Sequence, residues 1–144
     1  KIGLAAIAFN GSMVLGRLIG DKLNEIFGIY NFLVYSVIGS LVGSIILVLS
    51  SSLVFSIIGF TIAGFCVSSI IPICYTFGSS IKSVNPTVGI TIITIGVYGV
   101  FMIAPPALGY IADFFGIKFV YIPMVILFLI SSVIIILQQK LFKN

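Results

Sequence analysis

The sequence predicts an all-α, polytopic membrane protein of five transmembrane helices. Three observations carry that prediction. Of the 144 residues, 60% are hydrophobic and only 7% charged, against roughly 45–50% and 25% in soluble domains. The mean hydropathy is +1.37. Charge is absent from Ile26 to Ile81, from Ser83 to Ala112 and from Phe119 to Gln139. About 20 mostly apolar residues cross a bilayer core, so the first of these runs holds two spans and the others one each. The apolar stretch that opens the chain supplies the fifth.

Taken in order, the spans fall at about 2–22, 31–50, 53–79, 87–109 and 119–138. The first ends where Phe27-Gly28-Ile29-Tyr30-Asn31 supplies a glycine stop and a polar restart. Ser50-Ser51-Ser52 makes a tight hairpin between the second and third. Lys82-Ser83-Val84-Asn85-Pro86 separates the third from the fourth, with a proline that suits a helix start. Gly116-Ile117-Lys118 closes the last break. A β-barrel would need segments of about ten residues alternating polar and apolar. Runs such as Ile45-Ile46-Leu47-Val48-Leu49 are apolar throughout, and in lipid an unclosed strand leaves backbone groups unsatisfied. Cys66 and Cys74 share one predicted helix about 12 Å apart, too far for a disulfide.

The net charge of +4 comes from basic residues scattered between apolar spans, with no stripe of the kind that binds nucleic acid. Counting breaks alternately places Arg17, Lys22, Lys82, Lys140 and Lys143 on one side and Lys1 and Lys118 on the other. The positive-inside rule assigns the richer side to the cytoplasm, which puts the C-terminus inside and the protein in the cytoplasmic (inner) membrane. With Lys1 as first residue, the chain reads as the C-terminal piece of something longer.

Charge concentrates in one place. Gly16-Arg17-Leu18-Ile19-Gly20-Asp21-Lys22-Leu23-Asn24-Glu25-Ile26-Phe27-Gly28 carries Arg17, Asp21, Lys22 and Glu25 between two apolar segments, and reads as a short charged loop. A weaker copy stands at Gly109-Tyr110-Ile111-Ala112-Asp113-Phe114-Phe115-Gly116-Ile117, where an aspartate again follows a helix and Phe-Gly-Ile precedes the next. Asp21 and Asp113 are three predicted helices apart. An odd-numbered unit repeated in tandem lies inverted in the membrane.

The pattern Gly-Arg-x-x-Gly-Asp-Lys, followed by Phe-Gly, by Gly64 and Pro72 in one span and by Ala104-Pro105-Pro106-x-x-Gly109 in a later one, resembles the major facilitator superfamily, nearest a fucose-permease or sugar-porter-like branch. Asn24 stands where the family's loop motif has its second glycine, and Glu25-Ile26 replaces its basic pair. Both departures suit the second-half copy of the motif. The resemblance covers essentially the whole chain and implies helices eight to twelve, most of the C-terminal six-helix half of a twelve-helix transporter. It also implies a gate loop of Arg17, Gly20, Asp21 and Lys22, in which Asp21 meets the positive N-terminal end of a helix in the missing N-terminal half. Arg17 and Asp21, four apart on one helix face, are placed to pair.

Polar residues inside the spans form lines. Thr87, Thr91, Thr94 and Tyr98 make a stripe down the fourth helix, and Thr61, Gly64, Ser68, Pro72 and Tyr75 or Thr76 another down the third. Asn10 is a mid-span amide that costs free energy in hydrocarbon unless paired. Asn10, Thr61, Ser68, Thr91, Thr94 and Tyr98 are candidate substrate-cavity residues; interhelical bonding of Asn10 and back-bonding of the threonines are the competing accounts. Pro72, Pro105 and Pro106 each remove a backbone donor and are candidate kinks, the double proline bending or unwinding the outer end of the fourth helix. Ser12, Gly16 and Gly20, like Ser36, Ser40 and Ser44 or Gly39 and Gly43, repeat every four residues and suit close helix packing.

With no histidine and no carboxylates besides Asp21, Glu25 and Asp113, the sequence offers no proton relay. It shows no nucleophile and base pair, no metal-ligand spacing and no phosphate or dinucleotide glycine motif, so neither an enzyme nor a cofactor is expected. Its partners are the lipid bilayer, the missing half and an unidentified small molecule. The leading reading is a fragment of a secondary transporter that moves a small polar solute by alternating access and is inactive alone. A truncated or split-gene remnant with only a packing role is the alternative, and a self-dimerising drug exporter a third that lacks the membrane acid it would need.

Overall fold

The computed structural model describes residues 2–81 and 84–142. They form five helices: α1 (Ile2–Phe27), α2 (Ile29–Leu49), α3 (Leu53–Ser79), α4 (Pro86–Phe115) and, after a 3-10 turn at Ile117–Val120, α5 (Tyr121–Phe142). All five are long and apolar enough to cross a membrane, so the all-α, five-span polytopic expectation holds. Lys1, Lys82 and Lys143 of the charge count, and Ser83 of the third break, lie outside the described residues. So does the side chain of Lys140.

The turns have local causes. Gly28 joins α1 to α2 alone, at φ 78, a left-handed conformation that a side chain resists. Its N–H donates to the Asn24 carbonyl at 2.9 Å and its carbonyl accepts from Phe32 at 3.0 Å. Ser52 caps α3 by accepting from the Phe55 N–H, and the Ser50 and Ser56 hydroxyls close the hairpin at 2.9 Å. Asn85 caps α4 through the Thr87 N–H at 3.0 Å, just ahead of Pro86. Gly116, at φ 96, ends α4 with its N–H on the Ala112 carbonyl.

Two helices run further than the sequence predicts. α1 continues to Phe27, past the expected end at 22, so the whole charged stretch from Arg17 to Glu25 lies within one helix and the expected charged loop shrinks to Gly28. α4 continues through Pro105 and Pro106 to Phe115, so the double proline does not unwind it and Asp113 sits in its last turn. In both, apolar residues follow the charges, and the helix runs on until a positive-φ glycine stops it.

Helix α3 is central, packed on both α1 and α2, with α5 against α2. Small residues bring these axes together. A Cβ on Gly16 would stand 2.6 Å from the Phe65 carbonyl oxygen, one on Gly64 2.6 Å from that of Phe9, and one on Gly43 2.7 Å from the Ala63 nitrogen. The most deeply buried side chains are Ser40 and Ser44, each donating to the carbonyl four residues back at 2.8 Å. Phe32, Leu33, Val37 and Ile73 form a small apolar cluster at one end. There the Tyr30 hydroxyl donates to the Ile135 carbonyl and ties α2 to α5. Without a hydrophobic drive in lipid, tight backbone approach supplies the cohesion. Helix α4 differs: Gly89, pressed on Gly78 of α3, is its one buried residue.

Candidate functional site

The tight contact of α1 with α3 opens into a polar crevice at the end of α1. Gly20 packs on Ser69, where an added Cβ would stand 3.0 Å from the hydroxyl oxygen. One turn further, the side chains diverge around a volume of 280 Å³. Arg17, Asp21 and Asn24 line it from α1, Ser68, Ser69, Pro72 and Thr76 from α3, and Phe32 closes it from α2.

Its chemistry is rich in acceptors. Pro72 has no N–H to give the Ser68 carbonyl, so that oxygen loses its helical partner beside the crevice. The Oδ1 of Asn24 is buried with no hydrogen-bond partner. A buried amide oxygen left without a donor costs about 1–3 kcal/mol. Among the described residues no lysine or arginine nitrogen lies within 4.0 Å of a carboxylate oxygen. Arg17 and Asp21 therefore face the crevice one turn apart without closing the ion pair their spacing allows.

Of the residues singled out from sequence, Arg17, Gly20, Asp21, Ser68 and Pro72 meet here, while Lys22 points to the exposed side. The remaining candidates lie elsewhere. Asn10 is exposed and donates to the Ala6 carbonyl at 2.8 Å. Thr61 and Thr91 donate to Ile57 and Thr87. Thr94 donates to Ile90 at 2.8 Å and also reaches the Tyr75 hydroxyl at 3.3 Å, a link from α4 to α3. Tyr98 is 68% exposed. Pro105 lines a separate apolar groove on α4, and Pro106 is exposed. The threonines are thus satisfied along their own helix, as hydroxyls in lipid can be. Neither the crevice nor the groove on α4 includes Asn10, Thr94 or Tyr98.

Sequence reading missed Asn24 and Ser69 as site residues, and named Thr76 only as an alternative to Tyr75 at the end of the polar line on α3. A signal for them existed: Asn24 stands three after Asp21 and seven after Arg17, on the same helix face, and Ser69 and Thr76 are two turns apart. Among the described residues no group of three or more His, Cys, Asp or Glu side chains could hold a metal.

Residues 1–141 match the family model described as Major Facilitator Superfamily. The chain belongs to that superfamily. Its members are transport proteins rather than enzymes, and the protein is an integral, multi-pass membrane protein. It is 30% identical over 115 residues to the membrane protein MosC of Rhizobium meliloti, an alignment that takes in 78% of this chain and 28% of MosC. It is 31% identical over 113 residues to an uncharacterized MFS-type transporter of Yersinia pestis, covering 78% of this chain and 29% of that protein. The chain thus spans less than a third of the length of these relatives. No solved structure matches it.

Proposed function

We propose that this chain forms helices eight to twelve of a twelve-helix secondary transporter, which moves a small polar solute across the cytoplasmic membrane by alternating access. On this reading α1 is helix eight and the C-terminus lies in the cytoplasm. The crevice between α1 and α3 belongs to the cytoplasmic gate. Asp21 is the gate acid, with Arg17 and Lys22 as its neighbours. Its partner is the end of a helix in the N-terminal half, whose free N–H groups and dipole favour a carboxylate.

The observation that carries this reading is the crevice itself. The Asp21 carboxylate and the Arg17 guanidinium line 280 Å³ at the end of a membrane-length helix beside Asn24, with no ion pair closed among the described residues. Stability does not account for the arrangement, because an exposed pair is worth only about 0.2–1 kcal/mol. Contact with a second body that comes and goes does account for it. Asn10, Thr61, Thr91, Thr94 and Tyr98 stay candidates for the substrate cavity, since four of the five present their side chains on open helix faces.

Reconstitution tests the reading. Proteoliposomes holding the complete transporter take up a small polar solute with saturation, and those holding residues 1–144 alone do not. Saturable uptake by the isolated chain refutes the division of labour. Absence of uptake of every sugar, amino acid and organic anion tried with the complete protein favours a purely structural remnant.

A further inference from the structure

We infer that the crevice between α1 and α3 binds a small soluble zwitterion, an amino acid whose ammonium and carboxylate are held apart by a short methylene spacer. Arg17 and Asp21 line the crevice and form no ion pair among the described residues. An anion alone would meet the Asp21 carboxylate, and a cation alone the Arg17 guanidinium one helical turn away. A ligand carrying both charges satisfies both residues and leaves the net charge of the site unchanged.

The uncharged groups are sorted in the same way. Ser12 meets Gly64 and Gly16 meets Ser68, so α1 and α3 run parallel at a constant offset, which sets Ser69 level with Arg17 and Ile73 level with Asp21. At the Arg17 level a donor is free. Ser12, Ser40, Ser44 and Ser68 spend their hydroxyl hydrogens on carbonyls of their own helix, whereas Ser69, 7% exposed and lining the crevice, makes no such bond. Toward the Asp21 level the free groups are acceptors. Pro72 has no N–H for the Ser68 carbonyl, which points toward it along the helix, and the Thr76 hydroxyl gives its hydrogen to the Pro72 carbonyl at 3.1 Å. The ligand's carboxylate therefore accepts from Arg17 and Ser69. Its ammonium donates to Asp21, with the Ser68 carbonyl and the Thr76 oxygen as further acceptors. Phe32, Pro72 and Ile73 supply an apolar wall for the spacer. A single water takes roughly 30 Å³, so the 280 Å³ opening admits such a solute together with water.

Binding has a consequence for transport. An occupant that holds Asp21 keeps it from the helix end it meets in the closed gate, so the zwitterion favours the open state. That consequence rests on the gate reading, whereas the binding itself does not. A phosphoethanolamine lipid headgroup carries the same pair of charges, and the test is run with and without that lipid.

The probe is 4-aminobutyrate, titrated calorimetrically into the complete transporter in phosphatidylglycerol nanodiscs. Saturable heat is expected, and butyrate and butylammonium, each with one of the two charges, should bind at least about tenfold more weakly. Ser69→Ala keeps the packing against Gly20 and should also weaken 4-aminobutyrate about tenfold. Alkylation by N-ethylmaleimide, mapped by mass spectrometry, locates the site: saturating 4-aminobutyrate should suppress it in Thr76→Cys and leave it unchanged in Thr94→Cys. Equal binding of butyrate, an unchanged affinity in Ser69→Ala, or protection of position 94 in place of 76 overturns the inference. Adding phosphatidylethanolamine to the nanodiscs should leave the affinity unchanged; its loss gives the crevice to the lipid headgroup and overturns the soluble ligand. Uptake by Asp21→Asn is read separately. Lost uptake without protection at position 76 sinks the zwitterion site alone, and protection with uptake intact sinks the gate reading alone.

Discussion

Replacing Gly43 by alanine adds one methyl group where α2 crosses α3. The new Cβ would lie 2.7 Å from the Ala63 nitrogen and 3.0 Å from its Cα and Cβ. Carbon contacts are comfortable at about 3.5–4.0 Å, so the axes must part locally by about 0.5–1 Å. Backbone atoms cannot rotate away as a flexible side chain would. A gap of that size forfeits a quarter to a half of each contact's attraction for the atoms around it, and overpacking of this kind costs about 1–3 kcal/mol. Alanine recovers about 0.5–1 kcal/mol through its better helix propensity, leaving a net loss of up to about 2.5 kcal/mol. The controls are Gly11→Ala on α1 and Gly99→Ala on α4, where an added Cβ meets nothing within 4 Å. Both should be neutral or gain up to about 1 kcal/mol. Titrating the purified complete protein from dodecylmaltoside into dodecyl sulfate, with helicity followed by circular dichroism, ranks the three. A Gly43→Ala midpoint at or above those of the controls refutes glycine-mediated approach as the source of cohesion.

Tyr30→Phe removes the hydroxyl that joins α2 to the Ile135 carbonyl of α5 and should cost about 0.5–1.5 kcal/mol in the same titration; an unchanged midpoint argues against that link. Asn24→Leu replaces a buried amide oxygen that has no partner. It should leave stability unchanged or raise it by about 1–3 kcal/mol, while uptake falls if the crevice works as a gate. Asp21→Asn keeps size and loses charge. It should cut uptake by proteoliposomes at least about tenfold, or about 1.4 kcal/mol, with no loss of thermal stability in detergent, and a matching loss of stability would assign Asp21 a structural role instead.

Span number and the four breaks were legible in the sequence because membrane length, charge-free runs and turn residues are local signals. Gly28 and Gly116 stop helices by their own conformation, and Asn85-Pro86 starts one by capping and fixed φ. The small-residue stripes were legible for the same reason: Ser12, Gly16 and Gly20 reveal a packing face by spacing alone, and that face does meet α3. The end of α1 was not legible. The charges from Arg17 to Glu25 end the apolar run and the expected span stops at 22, yet helix propensity and the apolar Leu23, Ile26 and Phe27 carry the helix on to Phe27. The crevice was half legible. Arg17, Asp21, Ser68 and Pro72 were separate candidates, but only the α1–α3 crossing, fixed by Gly16 and Gly64, puts them on one opening. Polar stripes misled where a hydroxyl could bond its own helix, as Thr91 does at 2.7 Å.

A soluble domain hides its large apolar side chains and shows its polar ones, whereas here Ser40 and Ser44 are the most buried side chains and Leu18, Met102 and Ile103 lie open to the surroundings. The inversion decides how charge is to be interpreted. In water an exposed arginine beside an exposed aspartate needs no account, because solvent satisfies both. At the end of a membrane helix, each charge is held near the bilayer against a desolvation cost of a few kcal/mol. Lipid offers little in return. Arg17 and Asp21 avoid that cost only while water or protein fills the crevice they line. Their 280 Å³ opening is therefore coupled to whatever approaches this end of α1. A body that closes the crevice must bring its own hydrogen-bond donors and acceptors, and a purely apolar partner would be rejected there. The groove on α4 has the opposite chemistry, since its lining of Ile71, Gly96, Val97, Val100, Phe101, Ala104, Pro105 and Leu108 offers a charged group no side-chain hydrogen bond. One chain thus presents two surfaces of opposite demand.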